Sequence, residues 1–88
     1  MKEPMRLKIL DKGQRPVEAV FSDISSEVSR TYEFADGAKV TIEAPDWLHV
    51  SASGGHRLID HAGRSHYVPV GWHHLSWTVK DGEPPFVR

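Results

Sequence analysis

Between Gly54 and Trp77 the chain reads GGHRLIDHAGRSHYVPVGWHHLSW, which places His56, His61, His66, His73 and His74 beside Tyr67, Trp72 and Trp77. Side chains of these types can ligate a metal, stack on a partner, or fringe the core of a small sheet. Neutral imidazole is a common zinc ligand, but a site needs three or four ligands converging at about 2.0–2.1 Å. The sequence has no HExxH or HxH spacing, and His49 stands apart from the rest. On a strand the neighbours His73 and His74 point to opposite faces and cannot share an ion. We therefore expect neither a metal site nor a cofactor.

Two further constellations are weaker. Ser51-Ala52-Ser53-Gly54-Gly55-His56-Arg57 could cradle an anion on backbone amides, with Arg57 adding charge. It lacks the GK[ST] of a phosphate-binding loop, so a floppy connection between strands is the simpler reading. Ser51, Ser53, Ser65 or Ser76 could be grouped with a histidine and Asp46 or Asp60. No GxSxG elbow is present, and Ser65 and His66 diverge along a strand. A non-catalytic protein is the expectation.

The aromatic and basic residues are the better lead. Trp72, His74, Tyr67 and Arg64, flanked by the 51–57 loop with His56 and Arg57, are expected to form a binding surface. Trp and Tyr are preferred anchors of protein interfaces, and small barrels also stack single-stranded nucleic acid on such residues. Trp77 is assigned to the core by strand parity. Trp72 falls on the opposite face, after Gly71, and is the tryptophan expected to be exposed. Trp47 is read as an anchor behind a Pro45–Leu48 turn.

The elements that must position these residues are short strands. Ala35-Asp36-Gly37, His61-Ala62-Gly63 after Asp60, and Lys80-Asp81-Gly82 are three-residue hairpin signals, with glycine in the left-handed position. The first turn pairs Glu33 with Lys39, Tyr32 with Val40 and Thr31 with Thr41. Tyr32, Phe34, Val40 and Ile42 then share one face, as a half-buried hairpin requires. The second sets Asp60 opposite Arg64 and puts His56 and His66 on paired strands, near 56–60 and 64–70. Pro69 donates no ladder bond, which places that strand at an edge. Residues 72–80 form a further strand, with His73, Leu75, Trp77 and Val79 inward. Leu7 and Ile9 mark a first strand and Val17–Phe21 a second. The 22–29 window holds at most one helical turn, capped by Asp23, Ser25 or Ser26. Phe86, in a proline-rich tail, is a candidate to dock back on the sheet. The fold expected is a mainly β single domain over 1–88: a small antiparallel barrel or rolled sheet, SH3-like or Sm-like, of five to six strands. An open five-stranded sheet with one helical turn is the alternative.

Composition bounds the partners. Eleven basic and twelve acidic residues give a net charge of −1, without the positive excess that non-specific nucleic-acid binding uses. A protein partner is expected ahead of single-stranded nucleic acid. There are no cysteines, which excludes disulfides, thiolate metal sites and a thiol nucleophile. No apolar run reaches membrane-spanning length, and MKEPMRLKILDKG does not read as a signal peptide, so a cytoplasmic protein is expected. A homodimer through the edge at Pro69 or the first strand is compatible with the pattern.

The run SGGHRLID…GRSHYVPVGWHHLSW over 53–77, with FADGAKVTIEAPDWLHVS upstream over 34–51, resembles a pattern of small uncharacterised proteins from bacterial phage and prophage genomes. That resemblance implies an accessory protein binding a host or viral macromolecule. It assigns no role to any residue.

Overall fold

The computed structural model describes residues 3–10, 13 and 15–83. Eight strands follow one another: β1 (Met5–Leu10), β2 (Pro16–Asp23), β3 (Glu27–Phe34), β4 (Lys39–Glu43), β5 (Pro45–Val50), β6 (His56–Asp60), β7 (Ser65–Val68) and β8 (Trp72–Val79). They form two antiparallel sheets, one five-stranded in the order β1-β2-β5-β6-β7 and one three-stranded in the order β4-β3-β8. The five-stranded sheet curls into a half-barrel, so the architecture is the small rolled β fold expected, divided into more strands. Among the described residues no helix forms, and none is long and apolar enough to cross a membrane. Residues 22–29 close β2, turn and open β3, with the Ser25 amide bonded to Asp23 Oδ1 at 2.8 Å in place of a helix cap. Phe86 lies outside the described residues.

Local turn chemistry sets the pairings. Gly37 and Gly63 adopt φ of 90° and 87°, the left-handed conformation that closes a three-residue hairpin without a Cβ clash. The β3–β4 register joins Glu33 to Lys39, Tyr32 to Val40 and Thr31 to Thr41, as the first turn requires. The β6–β7 register joins His56 to Val68 and Arg57 to Tyr67. Strand β7 is an edge, and it ends before Pro69.

The chain changes sheets at Ala44, which has φ of 48°. Its amide donates to Val28 O in β3, and its carbonyl accepts from the His61 amide after β6, both at 2.8 Å. Those two bonds fasten the corner to both sheets. They also explain why Pro45–Leu48, which reads as a turn, is strand: the turn has already been made at Ala44.

The core lies between the sheets. Ile24, Tyr32, Ile42, Leu48, Leu58 and Val68 are buried together, with Phe34, Trp72 and Leu75 packed against them. Val40 stays exposed although it shares the hairpin face with Tyr32 and Ile42. Trp72 corrects the expected parity. Glu33 pairs with His74 while Phe34 pairs with Trp72, so His73 is an extra, bulged residue. The bulge turns Trp72 inward, 4.9 Å from the Tyr32 ring, and leaves His73 exposed. Leu75, Trp77 and Val79 keep the inward parity and are half-buried.

A second register shift, between Glu27 and Ser29, brings Glu27 onto the same face as Arg30 and leaves Val28 outside. Both charged residues are only 1% exposed. Arg30 Nε and Nη2 grip Glu27 Oε1 and Oε2 at 2.9 and 2.6 Å, and the guanidinium lies 5.0 Å from the Trp77 ring centroid. Burial opposes the charge of Arg30, but Glu27 and the Tyr32 hydroxyl more than offset it, so its pKa sits above the ordinary value.

A pair this dry is far more costly to break than to replace. Glu27→Leu is expected to destabilise the fold by about 3–5 kcal/mol in urea unfolding, by stranding Arg30. Adding Arg30→Met should recover most of that loss. Trp72→Ala should cost about 3 kcal/mol, a core value; unchanged stability would return Trp72 to the surface.

Candidate binding site

The six residues expected to form one surface fall in four places. His56 and Trp72 belong to the core, their rings 4.8 Å apart, and His56 is 9% exposed. His56 is closed off from the surface, while Trp72 is half-buried against the core. His74 stands on the outer face of the three-stranded sheet, its Nδ1 3.0 Å from Glu33 Oε2. That hydrogen bond is the main reason the Glu33 carboxyl lies below its usual pKa, with Lys39 adding to it. Arg64 occupies the β6–β7 turn, where its amide donates to Asp60 Oδ1 at 2.9 Å. Arg57 and Tyr67 remain, and the structure brings these two together.

Their meeting follows from register. With Asp60 and Gly63 fixing the hairpin, Arg57 lies directly opposite Tyr67, on the face of the five-stranded sheet turned away from the core. The guanidinium carbon sits 5.0 Å from the Tyr67 ring centroid, a cation–π contact worth about 0.5–1 kcal/mol at an exposed site. Tyr67 is 47% exposed. Its hydroxyl is 3.3 Å from Ser53 Oγ, and its ring lies flush against Gly55. A Cβ at Gly55 would come within 2.8 Å of Tyr67 Cζ, so only glycine lets the ring rest there.

The 51–55 loop behind Tyr67 is braced, contrary to the expectation of a floppy connection. The Ser51 amide donates to Gly55 O at 2.8 Å, and the Ser51 hydroxyl donates to the same oxygen at 2.9 Å. Ser51 Oγ is also 3.0 Å from Ser53 Oγ. Beside this pair opens a cavity of about 140 Å³, lined by Phe21, Arg57, Leu58, Ile59, Ser65, His66 and Tyr67. Residues of β2 and β7 line the same cavity because the sheet curls. The Nε of Arg57, one of the lining residues, is buried without a hydrogen-bond acceptor.

The histidines are dispersed. His49 Nδ1 donates to Val20 O at 3.0 Å, His61 meets Asp46 at 3.1 Å, and His66 Nε2 meets Asp60 Oδ2 at 2.8 Å. Among the described residues no three His, Asp or Glu side chains gather as metal ligands would. Asp60 is held below its usual pKa chiefly by the bond to His66, then by the Arg64 amide. Ser65, next to His66, alternates to the opposite side of the strand, which separates hydroxyl from imidazole.

His56 is the one histidine with a large shift. Burial, and then the nearby positive charge of Arg30, push its pKa down to about 4. Burial raises the Tyr32 phenol against the opposing pull of Arg30, so the hydroxyl keeps its proton. Tyr32 can then accept from Arg30 and donate to His56 Nδ1, 2.7 Å away.

Of the residues around this pair, Ser53 and Gly55 belong to the 51–57 loop that the sequence set beside the surface, and Phe21 was not legible as part of it. Ser53 and Gly55 carried a signal in the loop composition, whereas Phe21 arrives through the β2–β5 pairing, which no local turn specifies.

The His56 shift fixes a pH dependence. The unfolded imidazole, near 6.5, binds a proton that the folded one refuses until about pH 4, so stability is complete above pH 6.5 and falls as pH drops toward 4. The loss should approach about 3 kcal/mol across that window in urea unfolding. His56→Asn, which keeps an acceptor near Nδ1 but does not titrate, should flatten that part of the profile.

Compared with known proteins, the chain matches no protein-family model, and no curated protein or solved structure is significantly similar to it.

Proposed function

We propose that this chain is a non-catalytic binding module that takes a protein partner on the outer, concave face of its five-stranded sheet, around Arg57 and Tyr67. One observation carries the reading: a braced loop presents a half-exposed tyrosine beside an arginine and an open cavity. Rigid aromatic and arginine anchors next to a pocket are the residues that dominate binding energy at protein interfaces. Preorganisation by Ser51, Ser53 and Gly55 lowers the ordering cost of association. The near-neutral charge favours a protein over a nucleic-acid strand. The resemblance to small phage and prophage proteins supports an accessory role in the cytoplasm, against a host or viral protein.

Capture from bacterial lysate on the immobilised chain tests this, with and without nuclease. A discrete protein should survive nuclease and moderate salt, and should be lost with Tyr67→Ala or Gly55→Ala. Tyr67→Ala should leave stability within about 1 kcal/mol, because the ring is half-exposed. Bound material that vanishes with nuclease and salt would replace the partner by single-stranded nucleic acid stacked on the same ring. Retention by both variants would remove this face from the binding site.

A further inference from the structure

We infer that the cavity beside Arg57 receives a carboxylate, supplied by an acidic side chain in an extended segment of the protein partner. This rests on the binding-module reading and specifies what the Arg57–Tyr67 face recognises.

The molecule contains its own comparison. Arg30 and Arg57 each place a guanidinium 5.0 Å from an aromatic centroid, Trp77 for one and Tyr67 for the other. Arg30 also holds a carboxylate, gripped at two points by Nε and Nη2. Arg57 has the aromatic half of that arrangement and lacks the acidic half. Its Nε is buried with no acceptor, a state that costs about 1–3 kcal/mol and that an incoming acceptor relieves once the side chain turns to present Nε to it.

The neighbouring acids are engaged elsewhere. Asp60 bonds His66 Nε2 and the Arg64 amide, and Asp46 meets His61. Among the described residues no Asp or Glu lines the cavity. The missing anion therefore has to come from outside the described chain.

Size and lining narrow its class. A cavity of about 140 Å³ has room for a carboxylate with its adjoining carbons. Phe21 and Ile59 offer apolar wall to those carbons, while Ser65, on the same face as Tyr67, adds a hydroxyl. A planar carboxylate matches the guanidinium fork, and its single charge is less costly to bring against apolar wall than a phosphate dianion. Tyr67, held by Ser53 and Gly55, forms the rim over which the segment's backbone would pass.

The test is a nitrogen-15 NMR titration of the full chain, following the Arg57 side-chain Nε–H resonance and the Tyr67 amide. The probes are an acetylated, amidated hexapeptide with one Asp between apolar residues, its Asn counterpart, the Asn counterpart with a free C-terminal carboxylate, and phenyl phosphate. The Asp peptide should shift both signals saturably, and Asp→Asn in the peptide should weaken binding roughly tenfold or more. Arg57→Lys, which keeps the charge but loses the planar fork, should weaken the Asp peptide to a similar degree without altering the thermal midpoint. Equal binding of the Asp and amidated Asn peptides, or no shift with any probe, would overturn the carboxylate assignment. Tighter binding of the free C-terminal peptide would move the source from a side chain to a chain end, and tighter binding of phenyl phosphate would move the chemistry to phosphate; either overturns the proposal as stated. Silent peptides together with a lysate partner still lost on Tyr67→Ala would leave the binding module standing without its carboxylate. Specific Asp-peptide binding alongside a Tyr67-insensitive lysate partner would do the reverse.

Discussion

A salt bridge that cannot reach water governs this fold. Glu27 and Arg30 are sealed between the sheets, and taking two charges out of solvent costs several kcal/mol per ion before their attraction is counted. The geometry offsets that cost by using every nearby group. Two short bonds join the pair, Trp77 covers the guanidinium, and Tyr32 accepts from Arg30 and passes a hydrogen bond to His56. That last bond crosses from the three-stranded sheet to the five-stranded one. The polar chain therefore does more than satisfy itself, because only one mutual placement of the two sheets leaves no member unpaired. A purely apolar seam of Ile24, Ile42, Leu48, Leu58 and Val68 would tolerate sliding that this network forbids.

The same network explains how far the sequence could be read. Hairpins closed by Gly37 and Gly63 were legible to the residue, because a three-residue loop fixes register by itself. What escaped were the two places where a strand breaks step. The bulge at His73 and the shift between Glu27 and Ser29 are imposed by packing, not by any residue that announces a bulge. They reverse the meaning of alternation exactly where it was used to place Trp72, and they hide a Glu and an Arg that composition assigns to the surface. The change of sheet at Ala44 was silent for a related reason. An alanine with positive φ carries no glycine signal, and it is held by bonds to Val28 and His61 from far along the chain.

For the candidate site the division runs differently. Arg57 and Tyr67 were both nominated by residue type, and the second hairpin puts them face to face. Trp72 and His56 were nominated on the same grounds and lie on the other side of the sheet. Aromatic and histidine content thus marked two clusters as though they were one. A single strand pair, β6 with β7, carries the core cluster on one face and the candidate binding cluster on the other.

Strands β1 and the first part of β2 stand apart from this arrangement. They pair with each other from Met5–Phe21 to Leu10–Pro16, whereas the β2–β5 ladder is confined to Ser22 and Asp23, with the His49 side chain reaching back to Val20 O and the Phe21 ring. Strand β1 has no comparable packing against any other element, and Leu7, Leu10 and Val17 of this arm remain substantially exposed. Free energy is therefore unevenly distributed along the chain. Ala19 and Phe21 are the buried residues of this arm, and Leu7, Leu10 and Val17 are not, so amide hydrogens toward the Leu10 end of β1 would exchange through a local opening with a smaller free energy than those of β3.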